Sequence, residues 1–469
     1  MQTAGRKEDL LSLKTPFFMA SVCSLLFWLF LPLLPTCISF HGGKVRAFES
    51  GSQYVKSGQA RTPGSASNEL HPNFDYVNIP RVRSFNLSDG SIVDCVPIER
   101  QLSLKHPSLQ NHQIQLAPSL PESASALFKT EKELPSLVPW QLFHVEHGSC
   151  PDGSIPVHRL ACCETRDFHS PDIFLKKYPT EQRGYAKNST KGSRTRMRIQ
   201  PPAVDDGHQY AIVESVGNFA GAQAYLSVWD PSVATASDFS LSQLWVGAGA
   251  QDDINTVEAG WQVYELLNGD RNPHLFIFWT ADSYRSSGCY NLRCPGFVQT
   301  NSRVVLGGAI SSVSSPDSSL YFKKFLVYKD PSAWWLQIDG EWVGYWPAIL
   351  FTTLKNSADW LQWGGEVCLS AAAAAAASGS SANGSSSSSS SSSSTDESQI
   401  TTEMGSGYFP TDGNTKAASQ CELGYIDTQL NVYAATDLRQ FSTDPNCYSA
   451  ATYYDDDWGS YIVFGGTGC

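Results

Sequence analysis

From about residue 205 onward, short apolar or alternating stretches recur between turn residues, and this pattern limits the fold more than any other feature. Examples are 210–213, 224–229, 274–280, 334–338 and 461–464. Their length and their β-branched and aromatic content are typical of strands in an antiparallel sandwich or barrel. We therefore predict a mainly β fold, an antiparallel β-sandwich over 205–469. Helical periodicity is scarce, and we predict one short helix over 348–360.

Composition divides the rest of the chain into segments. Residues 41–75 are polar and aperiodic, which predicts disorder, whereas 76–165 have their own apolar positions and predict a small domain. The strongly basic stretch 166–204 predicts a solvated linker with a processing site within 185–205. Residues 371–398 are an Ala and Ser tract that cannot bury a core, and they predict a disordered insert in the β domain.

Charge differs between the two parts of the chain. Residues 1–199 contain 23 Lys and Arg against 17 Asp and Glu, a net charge of +6, whereas 200–469 contain 10 against 28, a net charge of −18. The acidic part argues against nucleic-acid binding, which needs clustered Lys and Arg. The opposite signs indicate either two solvated surfaces or an attraction between the parts that weakens as carboxylates protonate.

The N-terminus has the layout of a secretory signal peptide. A basic lead precedes an apolar run over 17–34, with cleavage expected near 37–41. A type II membrane anchor is the alternative, but Pro32 and Pro35 near the end of the run favour cleavage. We predict a signal peptide over 1–40 and a secreted protein of the extracellular space, cell wall or vacuole.

The chain has twelve cysteines, and the ten beyond the predicted signal peptide suggest disulfides in an oxidising compartment. The cysteines show no paired Cys-x-x-Cys spacing of a zinc site, and nucleotide-binding glycine motifs are missing, so we expect no metal and no cofactor. N-glycosylation sequons occur at Asn86, Asn188 and Asn383.

Common hydrolase signatures are missing from the sequence. It has neither a Gly-x-Ser-x-Gly elbow nor a His-Glu-x-x-His motif. The histidines beyond position 200 are His208 and His274, and His208 lies at the domain edge, which makes it a poor base candidate. Chemistry in the acidic part is therefore expected to depend on carboxylates.

Glu258 and Glu366 stand out by their surroundings. Each lies in an aromatic, apolar and Gly-rich stretch, where a carboxylate loses hydration and needs a partner or a task. On strands, Gly260 shares a face with Glu258 and Gly364 shares one with Glu366, leaving room for a peptide backbone or a water. The alternative is that each glutamate simply lies on the solvent-exposed face of its strand.

These stretches belong to a longer set of motifs by which the sequence resembles the plant neprosin family. The matching stretches are 255–263, 274–276, 280–282, 288–299, 334–336, 344–347, 363–367, 404–407 and 464–466. A weaker match extends over 76–165, through 93–96 and 150–156.

The resemblance implies a seven-stranded antiparallel sandwich with its cleft on the concave face, preceded by a small α+β activation domain. It places two catalytic glutamates at Glu258 and Glu366, and implies acid-activated loss of the leading domain and cleavage at or near proline. We therefore expect a secreted glutamic endopeptidase made as a zymogen. Its activation domain over 76–165 would inhibit the peptidase domain over 205–469, its substrates would be proline-containing peptides or proteins, and it would be a monomer.

Disulfides at Cys289–Cys294 and Cys447–Cys469 are also implied by the resemblance, and Cys95–Cys150 is our prediction for the activation domain. The sequence leaves four cysteines unassigned, namely Cys162, Cys163, Cys368 and Cys421.

In the implied mechanism the two glutamates hold one water between them and share a proton, and the sequence does not assign their roles. Candidates for stabilising the oxyanion are Gln262, Gln337 and Gln362. Candidates for lining a proline-accepting cleft are Trp261, Tyr284, Trp346 and Trp363, although plain core packing is the stronger expectation for each of these aromatic residues. The alternative functions are an inactive wall-associated or carbohydrate-binding sandwich protein and a glycosidase, which also uses paired carboxylates.

Overall fold

The computed structural model describes residues 79–120, 140–159, 207–370 and 401–469. Some predictions fall outside these ranges, namely the signal peptide 1–40, the segment 41–75, the linker 166–204, the insert 371–398, the sequons at Asn188 and Asn383, and Cys162 and Cys163. Across the described ranges, no helix has both the length and the apolar character needed to span a bilayer.

A small α+β unit comes first and confirms the predicted class of the leading domain. Its antiparallel sheet contains β1 (Arg83–Asn86), β2 (Ile92–Pro97) and β3 (Ser154–Arg159), in that order. The helix α1 (Leu142–His147) packs Phe143 against the same small core as the Cys95–Cys150 disulfide. The end of β1 is exposed, and Asn86 lies there.

The larger β region contains the short helix α2 (Glu265–Asn268) and fourteen strands within the described ranges. The strands are β4 (His208–Ser227), β5 (Phe239–Ala248), β6 (Asn255–Val263), β7 (His274–Thr280), β8 (Val298–Gln299), β9 (Phe322–Lys329), β10 (Ala333–Ile338), β11 (Glu341–Pro347), β12 (Ala358–Cys368), β13 (Ala418–Asp427), β14 (Val432–Ala434), β15 (Arg439–Ser442), β16 (Ser449–Asp455) and β17 (Gly459–Gly465).

Strand β4 is long enough to belong to two layers. Its first half pairs with β12 and β15, and its second half pairs with β9 and β13, always antiparallel. We call β15-β4-β12-β5-β6-β7 the site layer. The back layer extends from the second half of β4 through β13, β17 and β16 on one side and through β9, β10, β11 and β8 on the other. The predicted antiparallel β-sandwich is confirmed, with more strands than the seven that the resemblance implies.

Buried polar contacts join the layers behind the centre of the site layer. Gln420 of β13 is fully buried, and its amide donates to the main-chain carbonyls of Gln243 on β5 and Gly364 on β12, at 3.1 and 3.0 Å. A buried amide without partners is unfavourable, so these bonds fix the spacing of the two strands from behind.

The prediction of a helix over 348–360 is wrong. Tight 3-10 turns cover Ala348–Leu350 and Thr353–Lys355, and β12 begins at Ala358. Because β12 pairs along its length with β4 on one side and β5 on the other, long-range ladder bonds override the local helical periodicity.

The structure forms the three disulfides expected from the sequence, Cys95–Cys150, Cys289–Cys294 and Cys447–Cys469. Of the cysteines left unassigned, Cys421 is disulfide-bonded and Cys368 is a half-buried free thiol.

Candidate active site

Glu258 and Glu366 lie on two strands that flank β5 in the site layer. In the antiparallel registers, Glu258 of β6 is opposite Trp245 of β5, and Glu366 of β12 is opposite Leu241 of β5. Trp245 and Leu241 are an even number of residues apart on β5, so they point to the same face. Both glutamates therefore project from one face of the sheet.

A row with little side-chain bulk separates the two glutamates. Gln243 of β5 pairs with Gly260 of β6 on one side and with Gly364 of β12 on the other. Glu258 lies two residues before Gly260, and Glu366 lies two residues after Gly364. The carboxylates therefore approach the row diagonally from its two ends, and within the row Gln243 carries a side chain whereas Gly260 and Gly364 carry none.

Glu258 is completely buried and accepts hydrogen bonds from three of the described residues. Its Oε1 accepts from the hydroxyls of Thr256 and Tyr284 at 2.9 and 2.8 Å, and its Oε2 accepts from the Gln243 amide at 3.1 Å. Burial, and then the neighbouring Glu258, raise the pKa of Tyr284 well above its ordinary value. The phenol therefore keeps its proton and remains a donor to the carboxylate.

The loop after β7 holds Tyr284 over the site. Tyr284 adopts a left-handed backbone conformation, with φ of 61°, and its N–H donates to the Thr280 hydroxyl at 2.9 Å. The Asp282 carboxylate accepts N–H bonds from Ser286 and Ser287, which close the turn. A non-glycine residue at positive φ is costly, and these bonds offset that cost where the side chain is needed.

Glu366 is also completely buried, and its Oε1 lies 2.7 Å from His208 Nδ1. Burial alone would lower the pKa of His208, but hydrogen bonds to Cys368 and Glu366 raise it above its ordinary value. The raised pKa favours the imidazolium form, which would make this contact a buried, charge-assisted hydrogen bond to the carboxylate. The sequence prediction missed this residue.

Tyr290 lies close to both carboxylates. Its side chain is buried, and burial, Tyr264, Glu366 and Glu258 together raise its pKa well above the ordinary value. The charges of both glutamates therefore act on one buried phenol. Tyr290 belongs to a cluster of buried aromatic residues that includes Trp245, Phe276 and Phe278.

Three of the four aromatic residues predicted to line the cleft belong to the core instead. Trp261 and Trp363 are on the opposite face of the site layer, and their ring N–H groups donate to carbonyls of β4. Trp346 is on β11 of the back layer, packed against Phe297. Core packing is thus what the structure shows for these tryptophans, whereas Tyr284 faces the glutamates.

The three candidate glutamines also separate by layer. Gln262 and Gln362 share the face of the glutamates, whereas Gln337 is on β10 of the back layer. Gln362 donates to Glu214 of β4 at 3.0 Å. Gln262 is completely buried, and neither polar atom of its side chain has a hydrogen-bond partner. The amide of Gln262 therefore has hydrogen-bonding capacity that the described residues do not use.

Among the described residues, one group has the proximity needed to bind a metal ion, namely Asp444, Cys447 and Cys469. Its two sulfurs are joined as a disulfide, so they offer no thiolate ligands.

Two family models match the chain in sequence order. The neprosin activation peptide matches residues 84–214, and neprosin matches residues 236–396 and 380–467. The chain belongs to the neprosin family. Membership of the neprosin family supports a glutamic-type peptidase that carries its own activation segment.

Solved structures with some likeness to this neprosin-family chain include two of scytalido-glutamic peptidase with transition-state analogues. Both are 8% identical, with TM-scores of 0.29 and 0.28, and each match covers 56% of this chain and 100% or 98% of the other. A homodimeric agglutinin from chicken liver, CG-16, is 7% identical with a TM-score of 0.19, over 34% of this chain and 92% of that one.

We call the described residues up to 159 the activation segment and those from 207 onward the peptidase region. In this neprosin-family chain the two are joined by paired amide contacts. The Gln101 side chain donates to the Gln299 carbonyl at 3.1 Å and accepts from its N–H at 2.9 Å. Gln141 makes the same pair with Val305, at 2.8 and 2.9 Å. Each glutamine side chain therefore satisfies both main-chain groups of one residue, which gives the contact a defined register.

Proposed function

We propose that the protein is a secreted, acid-activated glutamic endopeptidase that cleaves peptide bonds at or near proline. The observation that carries this proposal is the pairing of Glu258 and Glu366, two fully buried carboxylates on one face around a glycine-lined row. Burial of acids at this density is unfavourable, which favours a catalytic task for the pair.

The mechanism needs one water between the carboxylates. Two carboxylates that share one water do not both ionise readily, so in this mechanism the pair holds one proton between them. The ionised glutamate takes a proton from the water, whose oxygen attacks the scissile carbonyl carbon and forms a tetrahedral oxyanion. The C–N bond then breaks, and the protonated glutamate supplies its proton to the leaving amine.

Gln262 is suited to stabilise the oxyanion. It is opposite Leu241 in the same row as Glu366, and its buried amide lacks a partner. An N–H donor aimed at the developing charge is typically worth ~10²–10³-fold in rate.

We expect Gln262→Leu to lower kcat by about 10²-fold without loss of thermal stability, because it removes an unsatisfied buried amide. The matched control is Gln337→Leu, the same change at a buried glutamine of the back layer. Steady-state kinetics and thermal melts of both variants test the role. Equal kcat values in the two variants would remove Gln262 from the mechanism.

Proline preference is proposed from the aromatic wall of the site. Flat rings such as Tyr284, Tyr290 and Phe278 surround the glutamates and suit the apolar pyrrolidine ring. Incubating the mature protein with one peptide and its Pro→Ala counterpart at acid pH tests both parts of the proposal. Cleavage of neither peptide would favour a non-catalytic binding protein.

Acid activation is supported by histidines of the activation segment that face the peptidase region. His112 Nε2 lies 2.7 Å from the Tyr345 hydroxyl, and His144 Nε2 lies 2.7 Å from the Arg303 carbonyl. The His158 ring lies 6.4 Å from that of His274. Burial lowers the pKa of each of His112, His144 and His158, and that of His158 falls to about 4.

These pKa values give docking a defined pH dependence. Above about pH 6.5 the rings are neutral whether the activation segment is docked or free, so their protonation does not oppose docking. As the pH falls from there towards about 4, the undocked ring of His158 takes up a proton before the docked one. Docking therefore weakens with acidification, by on the order of 3 kcal/mol for this residue. Positive charge on His158 would also face His274 and Arg293, with Asp89 and Asp270 opposing them.

We expect His158→Gln to shift self-processing of the precursor to lower pH, because its side chain stays neutral. His147→Gln serves as the control, since that ring packs on Phe85 within the activation segment. Processing rates of both variants over a pH series measure the effect. Identical profiles for His158→Gln and the wild type would exclude the histidine as a pH sensor.

A further inference from the structure

The two-glutamate hydrolytic mechanism assigns no role to the contact between His208 and Glu366. His208 is the first residue of β4 and is opposite Cys368 of β12, which places its ring diagonally across from Glu366. His208 is 6% exposed and Glu366 is 0% exposed, and the joining atoms are 2.7 Å apart. The contact between the two side chains is therefore buried, and the distance between its two atoms is short.

The surroundings hold the imidazole in one orientation. The ring stacks near Tyr210 at 6.3 Å and meets Phe239 edge-on at 5.7 Å. Among the described residues, the titratable groups near this pair are Cys368 of β12, Tyr210 of β4, Glu258 of β6, Tyr264 after β6, and Tyr284 and Tyr290 of the loop after β7.

We propose that His208 is a positioning residue that keeps Glu366 ionised and aimed at the shared water, which makes Glu366 the base and Glu258 the acid. This inference rests on the proposed peptidase function and assigns the two roles within it. The family motif and the sequence left these roles open.

The assignment follows from charge. An imidazolium in hydrogen-bond contact stabilises the carboxylate form of Glu366, and the low polarity of the site strengthens that attraction. With Glu366 ionised, the shared proton is carried by Glu258, where the donors Thr256 and Tyr284 on Oε1 and Gln243 on Oε2 leave one position on Oε2 for it. Glu366 then accepts the proton of the attacking water, and Glu258 delivers its own proton to the leaving amine. His208 exchanges no proton in this cycle.

The protonation of His208 can be measured without any activity. In the full chain with ¹⁵N-labelled histidines, the His208 ring is expected to show both nitrogens protonated at neutral pH, whereas Glu366→Gln should leave it neutral there. His208→Gln assigns the signal. A His208 ring that is neutral at pH 7 in both proteins would overturn the proposal, even if the protein hydrolyses peptides.

Kinetics supply the second measurement. Without the imidazolium, Glu366 should ionise at higher pH, so His208→Gln should move the acid limb of the kcat/KM profile upward by about 1 unit or more. The matched control is His274→Gln, which changes the other buried histidine of the peptidase region and should leave that limb in place. A purely structural role for His208 predicts a lower Tm with an unmoved limb, which contradicts the proposal. Absence of hydrolysis by the wild type would instead reject the proposed function, and the NMR titration would still decide the protonation state.

Discussion

Glu258→Gln and Glu366→Gln are each expected to lower kcat/KM for a peptide substrate by on the order of 10³-fold or more. General acid–base groups typically contribute ~10²–10⁴-fold, and here each glutamate also orients the water that the other uses. Glutamine keeps the volume and some hydrogen bonds of the side chain, so the folded structure should persist. The loss should therefore appear in kcat and not in the melting temperature.

The two losses should not add. If both glutamates act on one water, removal of either disables the same step, and the double variant should be only slightly slower than each single variant. Glu265→Gln provides the control, because Glu265 forms a partly exposed ion pair with Arg271 away from the site. Independent, multiplicative losses would contradict a shared water.

Gly260→Ala should cause a large loss of stability in the site layer. A Cβ atom at position 260 would lie 2.0 Å from the Ser242 carbonyl oxygen and 2.7 Å from Gln243 Cα. Both are backbone atoms of β5, so the clash cannot be relieved by rotating a side chain. Relief requires β6 to separate from β5, which breaks ladder hydrogen bonds and moves Glu258.

We expect Gly260→Ala to lower the free energy of unfolding by roughly 3 kcal/mol or more, and the Tm by on the order of 10 °C. The matched control is Gly424→Ala in β13, where the nearest atom to the added methyl group is the Tyr433 carbonyl oxygen at 3.1 Å. That change should lose less than about 1 kcal/mol. Thermal melts of both variants decide the matter, and equal Tm values would show that the row tolerates side chains.

The two glutamates could be predicted from the sequence because each is an acidic residue in an otherwise aromatic, apolar and Gly-rich stretch. Gln262 could likewise be predicted as a residue of the same face, since an even separation from Glu258 on one strand preserves the side. The same rule excludes Trp261 and Trp363 from the face of the glutamates, because each is an odd number of residues from the glutamate on its strand. Their placement in the core was thus predictable from strand period alone.

His208 could not be found in this way. It looked peripheral because it begins the β region, and its contact with Glu366 spans 158 positions of sequence. That contact exists only because β4 pairs with β12 in one particular register, which no local pattern specifies. The helix expected over 348–360 was wrong for a related reason, since ladder pairing outweighed local periodicity.

The most direct test of the two-carboxylate site is the pH dependence of kcat/KM for one proline-containing peptide, measured from strongly acidic to neutral pH. The wild type should give a bell-shaped profile in the acid range, with limbs that report the coupled pair, and the Glu258→Gln, Glu366→Gln double variant should show only the residual rate of the single variants, without the bell shape. A double variant that keeps a rate near that of the wild type, or a wild-type rate that does not vary with pH, would contradict the account.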